Sequence, residues 1–164
     1  MGKKHLASLC GAIVALCLTV LGTASCESAD CTLENHIALR CGFYNKGQKV
    51  ALNDTLYVSA AGTDSVLLNR KTRASQFELP MSYWQTCDTF IVSIVSEAGQ
   101  TSDTLWVEKT NLPHFESPDC PSYMFHEITE VRSTHTFIDS VYLAGPYVDF
   151  SKHEHIQIHL HADD

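Results

Sequence analysis

From residue 37 to residue 161 the chain is written in short stretches where apolar and polar residues alternate, and no stretch of helix length carries an apolar stripe. Such a chain folds as β-sheet. The segments are Ile37–Tyr44, Thr55–Ala60, Ser65–Leu68, Gln76–Leu79, Thr89–Val95, Thr104–Lys109, Tyr123–Val131, Ile138–Ala144 and His155–His161. Between them stand Lys46-Gly47, Gly62, Pro80, Ala98-Gly99, Pro113 and Gly145-Pro146, residues that turn a chain through backbone freedom or a fixed φ. Leu56, Val58 and Ala60 share one face of their segment, and Ile156, Ile158 and Leu160 share one face of the last. Period-two burial of this kind predicts an all-β, two-sheet antiparallel sandwich of about seven to nine strands. There is no internal repeat.

The N-terminal 25 residues belong to a different class. Lys3, Lys4 and His5 precede the apolar run Leu6 to Leu21, and Gly22-Thr23-Ala24-Ser25 leads into Cys26. The run is shorter than the roughly 18 to 20 apolar residues that a membrane-spanning helix needs, so it reads as a removable signal. Two cleavages compete. Gly22-Thr23-Ala24 suits an ordinary secretory peptidase, whereas a cysteine directly after a small residue suits lipoprotein processing, and Cys26 favours the second. The expected organisation is a signal peptide over 1–25, a lipidated Cys26 opening a polar tether over 26–36, and a sandwich domain over 37–161.

Loss of Lys3 and Lys4 with the leader leaves nine basic residues against nineteen acidic, a net charge of about −10 with histidine neutral. That balance disfavours nucleic acid and anionic lipid head groups as partners. Cys10 and Cys17 also leave with the leader. The four remaining besides Cys26 are Cys31, Cys41, Cys87 and Cys120, an even number that in an exported chain reads as two disulfides, with three pairings open. A four-cysteine zinc site is the poorer reading, because no CxxC pair is present.

The leader and cysteine, Leu39-Arg40-Cys41-Gly42-Phe43-Tyr44-Asn45, Asp54-Thr55-Leu56-Tyr57-Val58, Gly62-Thr63-Asp64-Ser65-Val66, Leu79-Pro80 and Phe115-Glu116-Ser117-Pro118-Asp119-Cys120 occur in this order. So do Ile138-Asp139-Ser140-Val141 and His155-Ile156-Gln157-Ile158. With these motifs the chain resembles a family of uncharacterised Bacteroidota cell-envelope lipoproteins. The resemblance implies an immunoglobulin-like domain and no known activity. It also implies a disulfide between Cys31 and Cys120, with Cys41 and Cys87 as an added second pair, since Cys41 stands where that family commonly has an aliphatic residue.

Three constellations bear on chemistry. His153, His155, His159 and His161 all occupy odd positions, so an extended strand would line them along one face, and His155, His159 and His161 form the candidate metal set. A solvated polar face is the preferred reading, because no carboxylate or cysteine is positioned by sequence to complete a coordination shell. The tripeptides Asp54-Thr55-Leu56, Asp64-Ser65-Val66, Asp103-Thr104-Leu105 and Asp139-Ser140-Val141 match an O-glycosylation pattern implied by the resemblance, which makes Thr55, Ser65, Thr104 and Ser140 candidate acceptors. Read physically, each is a turn-forming Asp handing over to a strand. Tyr83-Trp84 and Trp106 are the aromatic candidates for stacking on a sugar ring, or for covering the sheet.

No GxSxG elbow, HExxH helix, phosphate-cradling glycine loop or EF-hand loop occurs in the sequence. The expectation is therefore a non-enzymatic protein without a cofactor, held at the bacterial envelope, in the outer membrane, by its N-terminal lipid. It is expected to bind an unknown protein or glycan partner and no nucleic acid, with metal binding through the histidine strand or an accessory glycan-binding role as alternatives.

Overall fold

A computed structural model describes residues 36–161. Eleven strands follow one another: β1 Leu39–Asn45, β2 Gln48–Lys49, β3 Thr55–Ala60, β4 Val66–Thr72, β5 Gln76–Leu79 and β6 Cys87–Ser96, then β7 Gly99–His114, β8 Tyr123–Ser133, β9 Ile138–Leu143, β10 Tyr147–Val148 and β11 Ile156–Leu160. The nine expected segments are all strands, and the two additions are two-residue ladders. One sheet runs β2-β1-β11-β9, with β5 also on β1, and the other runs β10-β8-β7-β6-β3-β4. Pairing is antiparallel except for β1 and β11, which lie parallel with Cys41 opposite Ile156 and Phe43 opposite Ile158. The fold is an all-β two-sheet sandwich.

Alternation along the strands fills the space between the sheets. Leu39, Cys41 and Phe43 of β1, Phe77 and Leu79 of β5, and Ile156 and Ile158 of β11 face Leu56 and Val58 of β3, Phe90 and Val92 of β6, and Leu105 and Val107 of β7. Phe43 and Phe77 touch across β1 and β5 with ring centroids 5.3 Å apart. Each such fully buried side chain contributes about 1.5 to 3 kcal/mol. The β1–β2 hairpin turns at Lys46 and Gly47, whose φ values of 50° and 77° suit the right-handed twist of the flanking strands. On the edge strand β4 two residues of that strand oppose one of β3, and Arg70 takes a φ of 54° there. The bulge and the charges of Arg70 and Lys71 discourage a further strand from adding at this edge.

Several expectations change. β7 extends from Gly99 to His114, beyond both ends of the expected segment, and Pro113 lies within it opposite Met124 rather than ending it. The expected Cys41–Cys87 disulfide does not form, and both residues are free thiols. Cys41 points into the core from the smaller sheet, fully buried. Cys87 alternates with the inward-facing Asp88, Phe90 and Val92, so it lies on the outer face of the larger sheet, and the two sulfurs belong to different layers. Burial, reinforced by Glu154, pushes the Cys41 thiol well above the ordinary range. Asp103 is not a turn residue ahead of a strand, because it sits inside β7 and is 2% exposed.

Candidate functional site

On β7 the inward file reads Asp103, Leu105, Val107, Lys109, Asn111: the apolar middle is core, and charged or polar groups close both ends. Each end staples a loop. Asp103 accepts hydrogen bonds from the Thr134 hydroxyl (2.6 Å) and from the backbone N–H groups of Thr136, Phe137 and Ile138 (2.8, 2.8 and 2.9 Å), which fixes the crossing from β8 to β9. Burial alone would raise this carboxyl, but the four donors outweigh it and hold it below the usual range.

The other end carries the more unusual construction. Lys109 Nζ is fully buried and donates to the carbonyls of Ser82 (2.5 Å) and Gln85 (2.7 Å) and to Asn111 Oδ1 (2.8 Å), with Asp88 Oδ2 at 3.5 Å. Three donors meet three acceptors, the arrangement of an ammonium group. Asn111 Nδ2 donates to the carbonyls of Tyr83 (3.0 Å) and Gln85 (3.1 Å), and its Oδ1 also accepts from His126 Nδ1, 2.8 Å away. Asp88 accepts from the Ser82 N–H, and the Ser82 hydroxyl accepts from the N–H groups of Trp84 and Gln85. The Lys109 N–H donates to the Thr86 carbonyl at 2.8 Å. The carbonyls of residues 82, 83, 85 and 86 are thus all tied to β7.

Burial sets the electrostatics of this cluster. It lowers Lys109 against the pull of Asp88, and it raises Asp88 against Lys109 and the Ser82 N–H. His126, 1% exposed, is lowered to about 4 by burial and by the nearby Lys109 charge. Its ring is neutral at pH 7, with the proton on Nδ1 where Asn111 accepts it.

What this clamp holds is a loop crossing from β5 of one sheet to β6 of the other, and the loop's tip faces solvent. Trp84 is 89% exposed and Tyr83 54%, while Met81 anchors the loop in the core. Beside the loop runs a groove of about 420 Å³ bordered by Thr63, Ser65, Ser82, Gln85 and Thr89. A separate hollow of about 280 Å³ lies on the outer face of β3 and β6, bordered by Tyr57, Ser59, Val66, Ile91 and Ser93.

The other candidate residues are placed as follows. His155 precedes β11 and turns inward, fully buried, with Nδ1 accepting from the Arg40 N–H at 2.9 Å, so it leaves the polar face on which the odd-position reading put it. Burial, then the charges of His153 and Arg40, lowers it to about 4. His153 packs against His155 with centroids 4.6 Å apart and meets the Ser151 hydroxyl. His159 lies between Tyr44 (5.4 Å) and Tyr142 (4.9 Å), and His161 stands beyond β11 with Nδ1 3.7 Å from Asp139. The irregularity between His159 and Leu160 leaves Asp139 of β9 as the extra residue, so β11 keeps its alternation and it is His155 that departs from the shared face. The set His155, His159, His161 is not brought together, and no group of three metal-ligating side chains is spaced for an ion among the described residues.

Glu154 fills the hollow above Gly42, where it accepts from the Tyr44 hydroxyl and Lys49 Nζ, both at 2.7 Å. Trp106 lies on the outer face of β7 with the Arg132 guanidinium 5.8 Å from its ring, so it covers the sheet. Ser65 is exposed and Thr55, Thr104 and Ser140 are half-buried. Thr104 is tied through both its N–H and its carbonyl to Thr134. Cys120 is disulfide-bonded. Its expected partner Cys31 lies outside the described residues, as do Cys26, the expected signal peptide and all of the expected tether but its last residue, His36.

The clamp was missed at sequence level because Lys109 and Asn111 look like solvent-facing residues. The available signal was their phase, since Asp103, Lys109 and Asn111 share parity with Leu105 and Val107.

Fold and site together define a β-sandwich domain that uses an inward-facing lysine to hold an aromatic loop. The chain belongs to a family of unknown function, DUF6452, whose model matches residues 55–160. The match runs from β3 to the end of β11 and so includes the whole clamp and its loop. No curated protein and no solved structure matches the chain.

Proposed function

We propose that this protein is a binding module of the bacterial cell envelope, anchored in the outer membrane through lipid on Cys26, that engages its partner through Tyr83 and Trp84. The observation that carries the reading is an indole 89% exposed on a loop whose backbone is fixed from below. Leaving a large aromatic ring in water wastes its burial energy, and burying a lysine beneath it is costly unless the order gained is used. Preorganised aromatic tips are where binding energy concentrates, because little entropy remains to be lost when a partner arrives. A disulfide between Cys31 and Cys120 would tie the tether to the loop before β8. No residue set in the described domain supports a catalytic reading over this one.

Two experiments test the proposal. Intact mass and detergent partitioning of native protein should show a lipid-modified chain beginning at Cys26, and a soluble product with an earlier N-terminus refutes the anchor. For binding, a photoreactive residue at exposed Thr86 in envelope-bearing cells should yield a discrete adduct. The adduct should disappear with Trp84→Ala and be absent when the same group replaces Glu130. Adducts indifferent to Trp84 refute the loop as the binding element.

A further inference from the structure

We propose that the partner of this loop is the bilayer itself, with Trp84 and Phe115 seated in the head-group zone of a zwitterionic phospholipid membrane. The inference rests on the proposed lipid anchor and on the loop as a binding element, and it names what the loop binds.

Strand register brings the exposed rings to one end of the sandwich. Leu39 of β1 lies opposite Leu79 of β5, so the chain enters the domain beside the point where the aromatic loop departs at Pro80. The loop's Tyr83 and Gln85 carbonyls are held by Asn111 of β7. Glu108 is the last β7 residue paired with β6, and Lys109 to His114 carry β7, with β8 beside it, about 20 Å further. This arm is braced by rings, because His114 stacks on Phe125 at 4.3 Å and Phe150 meets Phe125 and Tyr123 edge-on at 4.9 Å. Leu112 stands on the arm, Phe115 follows it, and Tyr147 of β10 lies opposite Glu127 at its base. Tyr83, Trp84, Leu112, Phe115 and Tyr147 therefore share this end, and they are five of the eight large apolar side chains that the described domain leaves exposed. The opposite end, with the turns at Lys46-Gly47 and Ala98-Gly99, carries none of the eight.

Three separate segments thus leave rings in water at the end where the chain arrives. Cys26 precedes His36 by ten residues, at most about 35 Å of extended chain, so a lipid on Cys26 keeps this end within reach of the bilayer. Concentrated exposed apolar surface marks an interaction site, and the amphipathic rings of Trp and Tyr settle at head-group level. Charge selects the lipid. Residues 80–86 and 109–125 hold one cation, the buried Lys109, and two carboxylates, Glu116 and Asp119. Nothing at this end draws an anionic head group, so ring burial drives the contact and a zwitterionic surface suffices.

Quenching by brominated lipids tests this on the mature lipoprotein, with Trp106→Phe leaving Trp84 as the sole indole. In phosphatidylcholine vesicles the Trp84 emission should shift to the blue and be quenched more by bromine near the head-group end of the acyl chains than by bromine near their tips. Adding phosphatidylglycerol should strengthen neither effect. Emission unchanged from that of the lipid-free chain in buffer, without quenching, overturns the inference, and so does quenching that requires the anionic lipid. If the purified chain carries no lipid, the anchor fails and the unmodified chain with added vesicles decides the inference. A blue shift whose midpoint moves about tenfold or more with Phe115→Ala upholds it, and no shift overturns it. A photoreactive residue at Thr86 should then capture phospholipid. A Trp84-dependent protein adduct with Trp84 unquenched overturns the bilayer as partner and leaves the loop as the binding element, whereas neither adduct nor quenching removes both. Thermal melts check that Trp106→Phe and Phe115→Ala fold.

Discussion

Acid should unfold this domain through two histidines, and the size of the effect follows from their burial. His126 and His155 are 1% and 0% exposed and titrate at about 4, against 6.5 for a free imidazole. Because folding lowers these pKa values, the unfolded chain binds more protons between pH 6.5 and 4. The stability contributed by each neutral ring is therefore complete above pH 6.5 and is lost as pH falls toward 4. A shift of this size is worth roughly 3 kcal/mol per histidine, so the pair removes about 6 kcal/mol, comparable to the whole stability of many domains. Asp103, whose carboxyl is held low by its four donors, adds a loss only as pH falls further, below the ordinary carboxylate range. Asp88, raised by burial, works in the opposite sense, favouring the folded state as it takes up its proton. Urea unfolding of the mature protein at half-unit steps from pH 7 to 4 measures the slope. His126→Asn keeps a donor for Asn111 and His155→Asn keeps an acceptor for the Arg40 N–H, and neither titrates. Each should remove about half the slope, even if it costs some stability at pH 7. A flat profile across this window, or an unchanged slope in both variants, refutes the account.

Lys109→Met should destabilise by about 3 to 5 kcal/mol, since it strands the Ser82 carbonyl and leaves the buried Asp88 without its cation, and hydrogen exchange should rise selectively over residues 82–86. Gly42→Ala would set a Cβ 2.0 Å from Glu154 Oε2, expelling that side chain from Tyr44 and Lys49 at a cost of about 1 to 3 kcal/mol by thermal melting. Maleimide should label the half-buried Cys87 in native protein and Cys41 only after denaturation, and failure of both to react after denaturation without reductant would show that they are bonded after all. Asp103→Asn puts an amide where three backbone N–H groups and a hydroxyl converge. It should lower stability by about 2 to 4 kcal/mol, with local exchange of Thr136–Ile138.

Local alternation was enough to determine the sheet class and the position of every longer strand, because burial on one face of a strand is written at period two within a few residues. Leu56 and Val58, or Ile156 and Ile158, needed no partner to be recognised as inward-facing. The loop tip Tyr83-Trp84 was legible for the same local reason, as aromatic residues after Pro80. Tertiary structure decided the rest. Whether a polar residue at an inward position is an error of phase or a designed closure depends on what the other layer offers, and nothing near Lys109 in sequence announces the carbonyls of Ser82 and Gln85. The histidines near the C-terminus show the converse. Their odd numbering promised a shared face, but the turn of His155 under Arg40 is set by pairing with β1, a strand over a hundred residues away. Cys41 and Cys87 are told apart by phase, Cys41 in step with Leu39 and Phe43 and Cys87 out of step with Phe90 and Val92, whereas only the packing of the two sheets says which layer each strand joins and so what its inward side meets.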